Sequence, residues 1–97
     1  MTHAYPSVSV VIPCFNNERY VGAAIESVLS QTFPPAEAIV IDDGSTDSSA
    51  AVVGRFPSVT LLCQENAGAG AARNAGIARA VGEFIALLDA DDLWAPT

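Results

Sequence analysis

Positive charge is scarce in this sequence. It contains no lysine and four arginines, against eleven aspartates and glutamates, so the formal net charge is −7 over 97 residues. Proteins that bind the backbone of DNA or RNA present clustered cations to the phosphates. We therefore expect no nucleic-acid partner.

Long apolar runs and targeting signals are also missing. No apolar stretch reaches the ~20 residues that a membrane-spanning helix needs, so we expect no membrane segment in this chain. Residues 1–6 lack the basic start and apolar centre of a signal peptide, and we expect them to form a flexible tail. These absences predict a cytoplasmic domain.

Cysteine and histidine are too few for the sites that depend on them. Cys14 and Cys63 are the only cysteines, and a disulfide framework needs more. We expect both to be free, partly buried thiols. The only histidine, His3, lies in the expected tail, which leaves little support for Cys-His catalysis and excludes a helix-borne histidine metal site.

Apolar residues, by contrast, make up 51% of the sequence, enough for one small domain over residues 7–97. Four short apolar runs are typical of strands buried on both faces, and the segments between them predict crossover helices. The order βαβαβαβ predicts an α/β fold with a four-stranded parallel sheet. The strands are expected at 7–13, 36–41, 59–63 and 84–88, and a further helix is expected to begin at Ala95-Pro96.

Polar residues between the strands predict where the helices begin. Asn16 or Asn17 is expected to cap the first helix, with Glu18 in its first turn beside the positive end of the helix dipole. Ser45 or Thr46 is expected to cap the second helix, which ends near residue 53. The third helix, over 71–81, is rich in alanine and follows a glycine-rich turn.

The most informative feature is the group Asp89, Asp91 and Asp92, directly after the apolar run 84–88. Like charges held a few ångströms apart repel one another, and a bound cation relieves that repulsion. Carboxylate sites suit Mg²⁺ or Mn²⁺, which proteins commonly share with substrate phosphates. One of these aspartates could instead cap a following helix, but a cap needs only one carboxylate. The group therefore favours a metal-bound phosphorylated ligand.

A second acidic pair, Asp42-Asp43, ends the second predicted strand and precedes Gly44, which is expected to adopt a left-handed turn conformation. A carboxylate at a strand end can accept a hydrogen bond from a base N–H or a ribose hydroxyl. The alternative is a turn with no ligand.

The segment from Gly68 to Arg73 resembles a dinucleotide fingerprint only loosely. Arg73 replaces the third glycine, and the turn follows the third strand instead of the first. We therefore expect no nicotinamide or flavin site. Arg73 is either a phosphate or base contact or a solvated helix arginine, and the sequence leaves both interpretations open.

Four segments, in the same order and spacing, resemble the motifs of family 2 glycosyltransferases. They cover nearly the whole chain: SVVIPCFNNE at 9–18, IDDGSTD at 41–47, ARNAG at 72–76 and GEFIALLDADD at 82–92. The resemblance implies the amino-terminal, nucleotide-sugar-binding half of a GT-A fold. That half is a Rossmann-like sheet with strand order 3-2-1-4, and ligands bind at the carboxyl ends of its strands.

The resemblance also implies roles for individual residues. Asp89-Ala90-Asp91 matches the family's DxD motif, so that Asp91 would bind Mg²⁺ or Mn²⁺ and Asp89 would reach the ribose or the water shell of the metal. Asp43 matches the carboxylate that holds the base, typically uracil. The remaining nucleotide-binding matches are Pro13, Phe15, Glu18 and Arg73.

By the same resemblance, the reaction would be sugar transfer, of the hexosyltransferase type, from a nucleoside diphosphate with inversion at the anomeric carbon. The catalytic base of family members lies in a second half, so we expect it beyond Thr97. We therefore expect this chain to bind a nucleotide weakly and to transfer no sugar alone. An acidic phosphotransfer pocket is disfavoured, because the first strand ends in Cys14-Phe15-Asn16 and not in an aspartate.

The alternative function is a non-catalytic half-domain that folds and self-associates. The fourth strand of such a truncated sheet would be an uncovered apolar edge, and uncovered edges pair with other chains. We therefore expect self-association through this edge.

Overall fold

The computed structural model describes residues 7–94. Strands and helices alternate along the chain, and every strand pair is parallel. The elements are β1 (Val8–Cys14), α1 (Val21–Leu29), β2 (Glu37–Asp43), α2 (Ser49–Val53), β3 (Thr60–Gln64), α3 (Ala69–Arg79) and β4 (Phe84–Leu87). The sheet order is β3-β2-β1-β4, so the predicted α/β fold and strand order are confirmed. The expected tail at 1–6 and the expected helix at Ala95-Pro96 lie outside the described residues.

The register of the sheet brings the ends of its strands together. Cys14 pairs with Asp42, and Asp42 pairs with Cys63. The loops after β1, β2 and β3 therefore leave the same edge of the sheet, beside the turn that follows β4. Parallel sheets bind ligands at this carboxyl edge.

Alternating side chains build a core layer on each face of the sheet. On one face, Val10, Ile12 and Cys14 of β1 pack with buried residues of α1 and α2. On the other face, Val11 packs in a cluster with Ala72 of α3. The two faces explain why β1 and β2 are almost wholly apolar, as the sequence predicts.

The fourth strand is less buried than its sequence predicts. The side chains of Phe84, Ile85 and Leu87 are 58%, 41% and 49% exposed. Within residues 7–94, β4 pairs with β1 alone, so its other edge is unpaired. The prediction of a strand buried on both faces is therefore wrong for β4, and the uncovered apolar edge is present.

Helix α1 begins later than expected and has no side-chain cap. Asn17 accepts hydrogen bonds through its backbone oxygen from the amides of Tyr20 and Val21, and Asn16 adopts φ 50° in the turn after β1. Glu18 lies in that turn, before the first helical residue. The predicted cap at Asn16 or Asn17 is wrong, because Asn16 Oδ1 accepts from the Thr46 amide in the loop after β2 and Asn17 Oδ1 accepts from the Phe15 amide in its own loop.

Helix α2 is also shorter than expected. It begins at Ser49, so the predicted cap at Ser45 or Thr46 is wrong. These two residues instead bond to Asn16: Ser45 Oγ accepts from the Asn16 amide at 2.9 Å, and the Thr46 amide donates to Asn16 Oδ1 at 2.8 Å. The third helix begins two residues before its predicted start, at Ala69.

Both cysteines are free, as expected. Cys14 is buried in the core of β1, whereas Cys63 is exposed. The prediction that both are partly buried is wrong for Cys63, because β3 is an edge strand. No helix within residues 7–94 is long and apolar enough to cross a membrane.

Candidate functional site

An open cavity of about 450 Å³ lies at the carboxyl edge of the sheet, between the end of β1, the start of α3 and the turn after β4. It brings together residues that are far apart in sequence. Six of the residues predicted from the sequence line it: Pro13, Phe15, Asp43, Arg73, Asp89 and Asp91. Asn17, Asn66 and Gly68 contribute polar groups to the same walls.

Glu18 is the one predicted site residue that is not among those lining the cavity. Its carboxylate accepts a hydrogen bond from the Ser48 amide at 3.2 Å, and its own amide donates to Asp47 Oδ2 at 3.2 Å. In this arrangement Glu18 ties the loop after β1 to the loop after β2.

Asp43 is the most densely hydrogen-bonded group of the site. Its carboxylate is almost fully buried, at 2% exposure of the residue. Oδ1 accepts from Gln64 Nε2 at 2.8 Å and from the Ala67 amide at 2.9 Å. Oδ2 accepts from the Gly68 amide at 3.0 Å and from Asn66 Nδ2 at 3.2 Å. The hydrogen bond from Gln64, followed by those from the loop amides, lowers the pKa of Asp43 below its ordinary value of 3.8.

Gly44 allows Asn66 to lie close to the end of β2, where Asn66 bonds to Asp43. Gly44 has φ 76°, as its predicted left-handed turn requires, and a Cβ built on it would lie 2.7 Å from the Asn66 backbone nitrogen. Sequence reasoning missed Gln64 and Asn66 as site residues. The only signal was their position beside a glycine-rich turn, because their partner Asp43 is more than twenty residues away.

Asp42 and Asp43 point to opposite faces of the sheet, because they are neighbours on one strand. Asp42 is in register with Cys14, whose side chain packs on the α1 face. Asp42 is 6% exposed, and within residues 7–94 its Oδ1 has no hydrogen-bond partner. Of this acidic pair, only Asp43 lines the cavity.

Cys14 also lines the cavity but has the character of an unreactive thiol. Burial raises its pKa above 9.0, and the nearby carboxylates of Asp42 and Asp47 raise it further, against a lowering hydrogen bond with Ser49. A thiol with a raised pKa carries little of the thiolate that acts as nucleophile. This agrees with the expectation that cysteine catalysis has little support.

The group Asp89, Asp91 and Asp92 follows β4, and Asp89 and Asp91 line the same cavity as Phe15. One carboxylate oxygen from each residue lies within 4.8 Å of the other two, and all three residues are exposed. The backbone forms a turn in which the Asp92 amide donates to Asp89 O at 3.0 Å. Between the acids, buried Ala90 anchors the turn to the core. The turn therefore directs three carboxylates outwards, in a geometry that can share one cation.

Arg73 connects this acidic turn to helix α3. Its guanidinium Nη2 lies 4.0 Å from Asp89 Oδ1. Arg73 and Asp89 also border a second cavity of about 410 Å³ beyond the end of β4, where Leu93 and Trp94 supply apolar walls. Arg73 thus lines both cavities, which favours a ligand contact over a solvated helix arginine.

The model of the family described as Glycosyl transferase family 2 matches residues 9–97. An uncharacterized glycosyltransferase of Nostoc sp. is 45% identical over 94 residues, which cover 92% of this chain and 29% of the relative.

Two solved structures have the same fold. The 1–349 segment of S. aureus TarS, crystallised in complex with UDP, superposes with a TM-score of 0.83 at 32% identity, over 90% of this chain and 28% of that segment. The mannosyltransferase PcManGT from Pyrobaculum calidifontis, in complex with GDP-Man and Mn²⁺, gives a TM-score of 0.80 at 30% identity, over 94% of this chain and 29% of that protein. The chain therefore spans less than a third of the length of each of these three proteins.

Proposed function

The chain belongs to glycosyl transferase family 2, and from that membership we propose that it is the donor-binding part of an enzyme that transfers a sugar from a nucleoside diphosphate. The observation that carries this proposal is the cavity that brings Asp43 together with Asp89 and Asp91 of the acidic turn. A nucleoside diphosphate needs a polar site for its base and a cationic site for its phosphates.

The base would lie between Phe15, Pro13 and Asp43. Phe15 is 45% exposed beside the cavity and offers a face on which a base can stack. Asp43 offers a carboxylate whose low pKa keeps it ionised and able to accept an N–H at neutral pH. We propose uracil as the base, and the complex of TarS with UDP supports this choice.

The diphosphate would lie at the acidic turn with a divalent cation. The carboxylate oxygens of Asp89, Asp91 and Asp92 lie close enough together to share one ion, and carboxylates are the ligands that Mg²⁺ and Mn²⁺ prefer. Asp91 is proposed as its direct ligand, with Asp89 as a second ligand or a ribose contact. When bound, the cation would neutralise the diphosphate and so stabilise it as a leaving group. The complex of PcManGT with Mn²⁺ supports such an ion.

Arg73 supplies the cationic side chain nearest to the acidic turn. Because its guanidinium is always charged, it can hydrogen-bond a phosphate oxygen or a base carbonyl. Its distance of 4.0 Å from Asp89 keeps it close without a tight ion pair. We propose that Arg73 orients the diphosphate between the two cavities. Glu18 would act on the nucleotide only through the loop that carries Phe15.

We propose that the reaction is inverting hexosyl transfer, in which a carboxylate outside the 97 residues deprotonates the acceptor hydroxyl. We therefore propose that the isolated chain binds its donor weakly and transfers no sugar. The free Cys14 and Cys63 thiols fit the reducing cytoplasm in which we place it.

Melting temperatures test the donor site. A ligand of the native state raises the melting temperature by mass action. We expect Mn²⁺ to raise it, UDP to raise it further, and Asp91→Ala to abolish both shifts. Equal melting temperatures for the unsubstituted chain with and without these ligands would contradict the proposal. Sugar transfer by the isolated chain would contradict its proposed inactivity.

A second candidate is a non-catalytic half-domain that self-associates, and the uncovered edge of β4 favours it. Phe84, Ile85 and Leu87 all remain exposed beside an unpaired strand edge. Sedimentation of the chain and of an Ile85→Lys variant tests this candidate. We expect a dimer that the lysine weakens, since an edge lysine opposes strand pairing. A clean monomer at high concentration for the unsubstituted chain would exclude this candidate.

A further inference from the structure

We propose that the side-chain amide of Asn66 is an exchangeable hydrogen-bond donor on Asp43, and that its displacement admits one N–H group of the base. Asn66 would thereby set base selectivity, as a positioning residue that acts through Asp43. This inference rests on the proposed function, because it concerns how the same cavity accepts its nucleotide.

The acceptor capacity of Asp43 is already in use. A carboxylate has about four lone-pair positions, and four donors bond to this one: Gln64 Nε2, the Ala67 amide, Asn66 Nδ2 and the Gly68 amide. The residue is 2% exposed, so it has almost no contact with water and its hydrogen bonds come from these four protein donors. A base N–H can therefore bond to Asp43 only if one of the four donors leaves.

Of the four donors, Asn66 is the one whose hydrogen bond to Asp43 costs least to break. Its bond to Asp43 Oδ2 is the longest of the four, at 3.2 Å. Asn66 Nδ2 also donates to the backbone oxygen of Asp43 at 3.0 Å, so the amide keeps one partner after it releases the carboxylate. Asn66 is exposed, which lets water satisfy the freed N–H.

The other three donors are more firmly held. The Ala67 and Gly68 amides belong to the backbone that leads into α3, and their movement would shift the start of that helix. Gln64 lies at the end of β3, in register with Asp43, and makes the shortest of the four bonds at 2.8 Å. One exchangeable donor therefore gives room for one incoming N–H.

The number of N–H groups distinguishes the bases. Uracil presents a single ring N–H between two carbonyl oxygens. Guanine presents two adjacent N–H groups, and a second donor on Asp43 would have to leave to accept both. Cytosine presents a ring nitrogen that accepts and has no N–H at that position. The arrangement predicts that UDP binds more tightly than GDP or CDP, since a buried polar group left without its partner weakens binding.

The test compares UDP, GDP and CDP in the presence of Mn²⁺, by competition against labelled UDP, on the unsubstituted chain and on Asn66→Ala. Asn74→Ala is the control, because Asn74 is an exposed asparagine of α3 that lines neither cavity. In Asn66→Ala, UDP no longer displaces a donor, so we expect its affinity relative to CDP to rise roughly three- to tenfold. The ratio of the two affinities cancels any general loosening of the loop. Asn74→Ala should leave the ratio unchanged.

A measurement on the unsubstituted chain covers the case in which Asn66→Ala does not fold. Side-chain amide resonances report hydrogen bonding directly, and saturating UDP should shift those of Asn66 more than those of Gln64. CDP should shift neither.

The outcomes separate the two proposals. If the unsubstituted chain binds no UDP, the proposed function fails and this inference fails with it. The inference alone is overturned if UDP binds but its affinity relative to CDP is unchanged or lower in Asn66→Ala, if GDP binds as tightly as UDP, or if Gln64 moves instead of Asn66.

Discussion

Asn16 Oδ1 lies 2.8 Å from the backbone nitrogen of Thr46 and 3.3 Å from that of Asp47. One side chain at the end of β1 thus fixes the loop that follows β2. In return, Ser45 Oγ accepts a hydrogen bond from the Asn16 amide. The loop that carries Phe15 and the loop that follows Asp43 therefore hold each other in place.

We predict that Asn16→Ala destabilises the chain by about 1–3 kcal/mol, from the loss of the hydrogen bonds that Asn16 Oδ1 accepts from Thr46 and Asp47 and from the strain of alanine at positive φ. Urea unfolding measures this change in the free energy of unfolding. Asn16→Gly is the matched variant: glycine tolerates φ 50° but lacks the acceptor. Asn16→Gly should therefore avoid the backbone strain but should still lack the hydrogen bonds. If Asn16→Ala matches the unsubstituted chain in stability, the two loops are held by other contacts.

A second prediction concerns the close approach of Gly44 to Asn66. We expect Gly44→Ala to lower the free energy of unfolding by about 1–3 kcal/mol or more, because the residue needs positive φ and the new Cβ would meet the Asn66 backbone. Gly54→Ala is the control in the same urea experiment. Gly54 has φ −60°, and its Cβ would lie no closer than 3.4 Å to other atoms. Equal stability of the two variants would show that the approach at Gly44 is not tight.

The sequence predicts the framework well, because the information needed for it is local. Four apolar runs separated by helical segments determine a parallel sheet, and the sheet places Asp43 and Asp89 at the same edge. The helix caps were predicted wrongly because Asn16 bonds to a loop 30 residues away instead of to its own helix. Asn66 was missed for the same reason, since its partner Asp43 is fixed only when β2 and β3 pair. Local propensity cannot show such contacts.

The third prediction concerns pH. Hydrogen bonds lower the pKa of Asp43 and of Asp47 below 3.8, mainly from Gln64 in the first case and from Ser49 in the second. The folded state therefore takes up these protons at lower pH than the unfolded chain does. Their contribution to stability is fully present above the ordinary value of 3.8 and is lost as pH falls through it towards the lower pKa of the folded state.

Urea unfolding between about pH 6 and pH 3 measures this loss, as the slope of stability against pH reports proton uptake. We expect stability to fall most steeply below about pH 4, and Asp43→Asn to flatten that fall. A slope that is the same in Asp43→Asn and the unsubstituted chain would mean that Asp43 has an ordinary pKa.

The fourth prediction concerns the two thiols. Cys63 is exposed, whereas Cys14 is buried and its pKa is raised by burial. Iodoacetamide at about pH 8 should therefore modify Cys63 alone in the folded chain, and Cys14 only after unfolding in urea. Mass spectrometry counts the modified residues, and Cys63→Ser should leave a folded chain that resists modification. Rapid modification of Cys14 in that variant would contradict the buried, protonated thiol.

The central claim is that one cavity binds a nucleoside diphosphate through a cation held by the acidic turn. Calorimetric titration of UDP tests it most directly, with and without Mn²⁺, on the unsubstituted chain, on Asp91→Asn and on the control Glu26→Gln. Glu26 is an exposed carboxylate on α1 that lines neither cavity. The account predicts saturable UDP binding with Mn²⁺ that weakens at least about tenfold without the metal or in Asp91→Asn, and that Glu26→Gln preserves. Equal UDP affinity with and without Mn²⁺, or no UDP binding with it, would contradict the account.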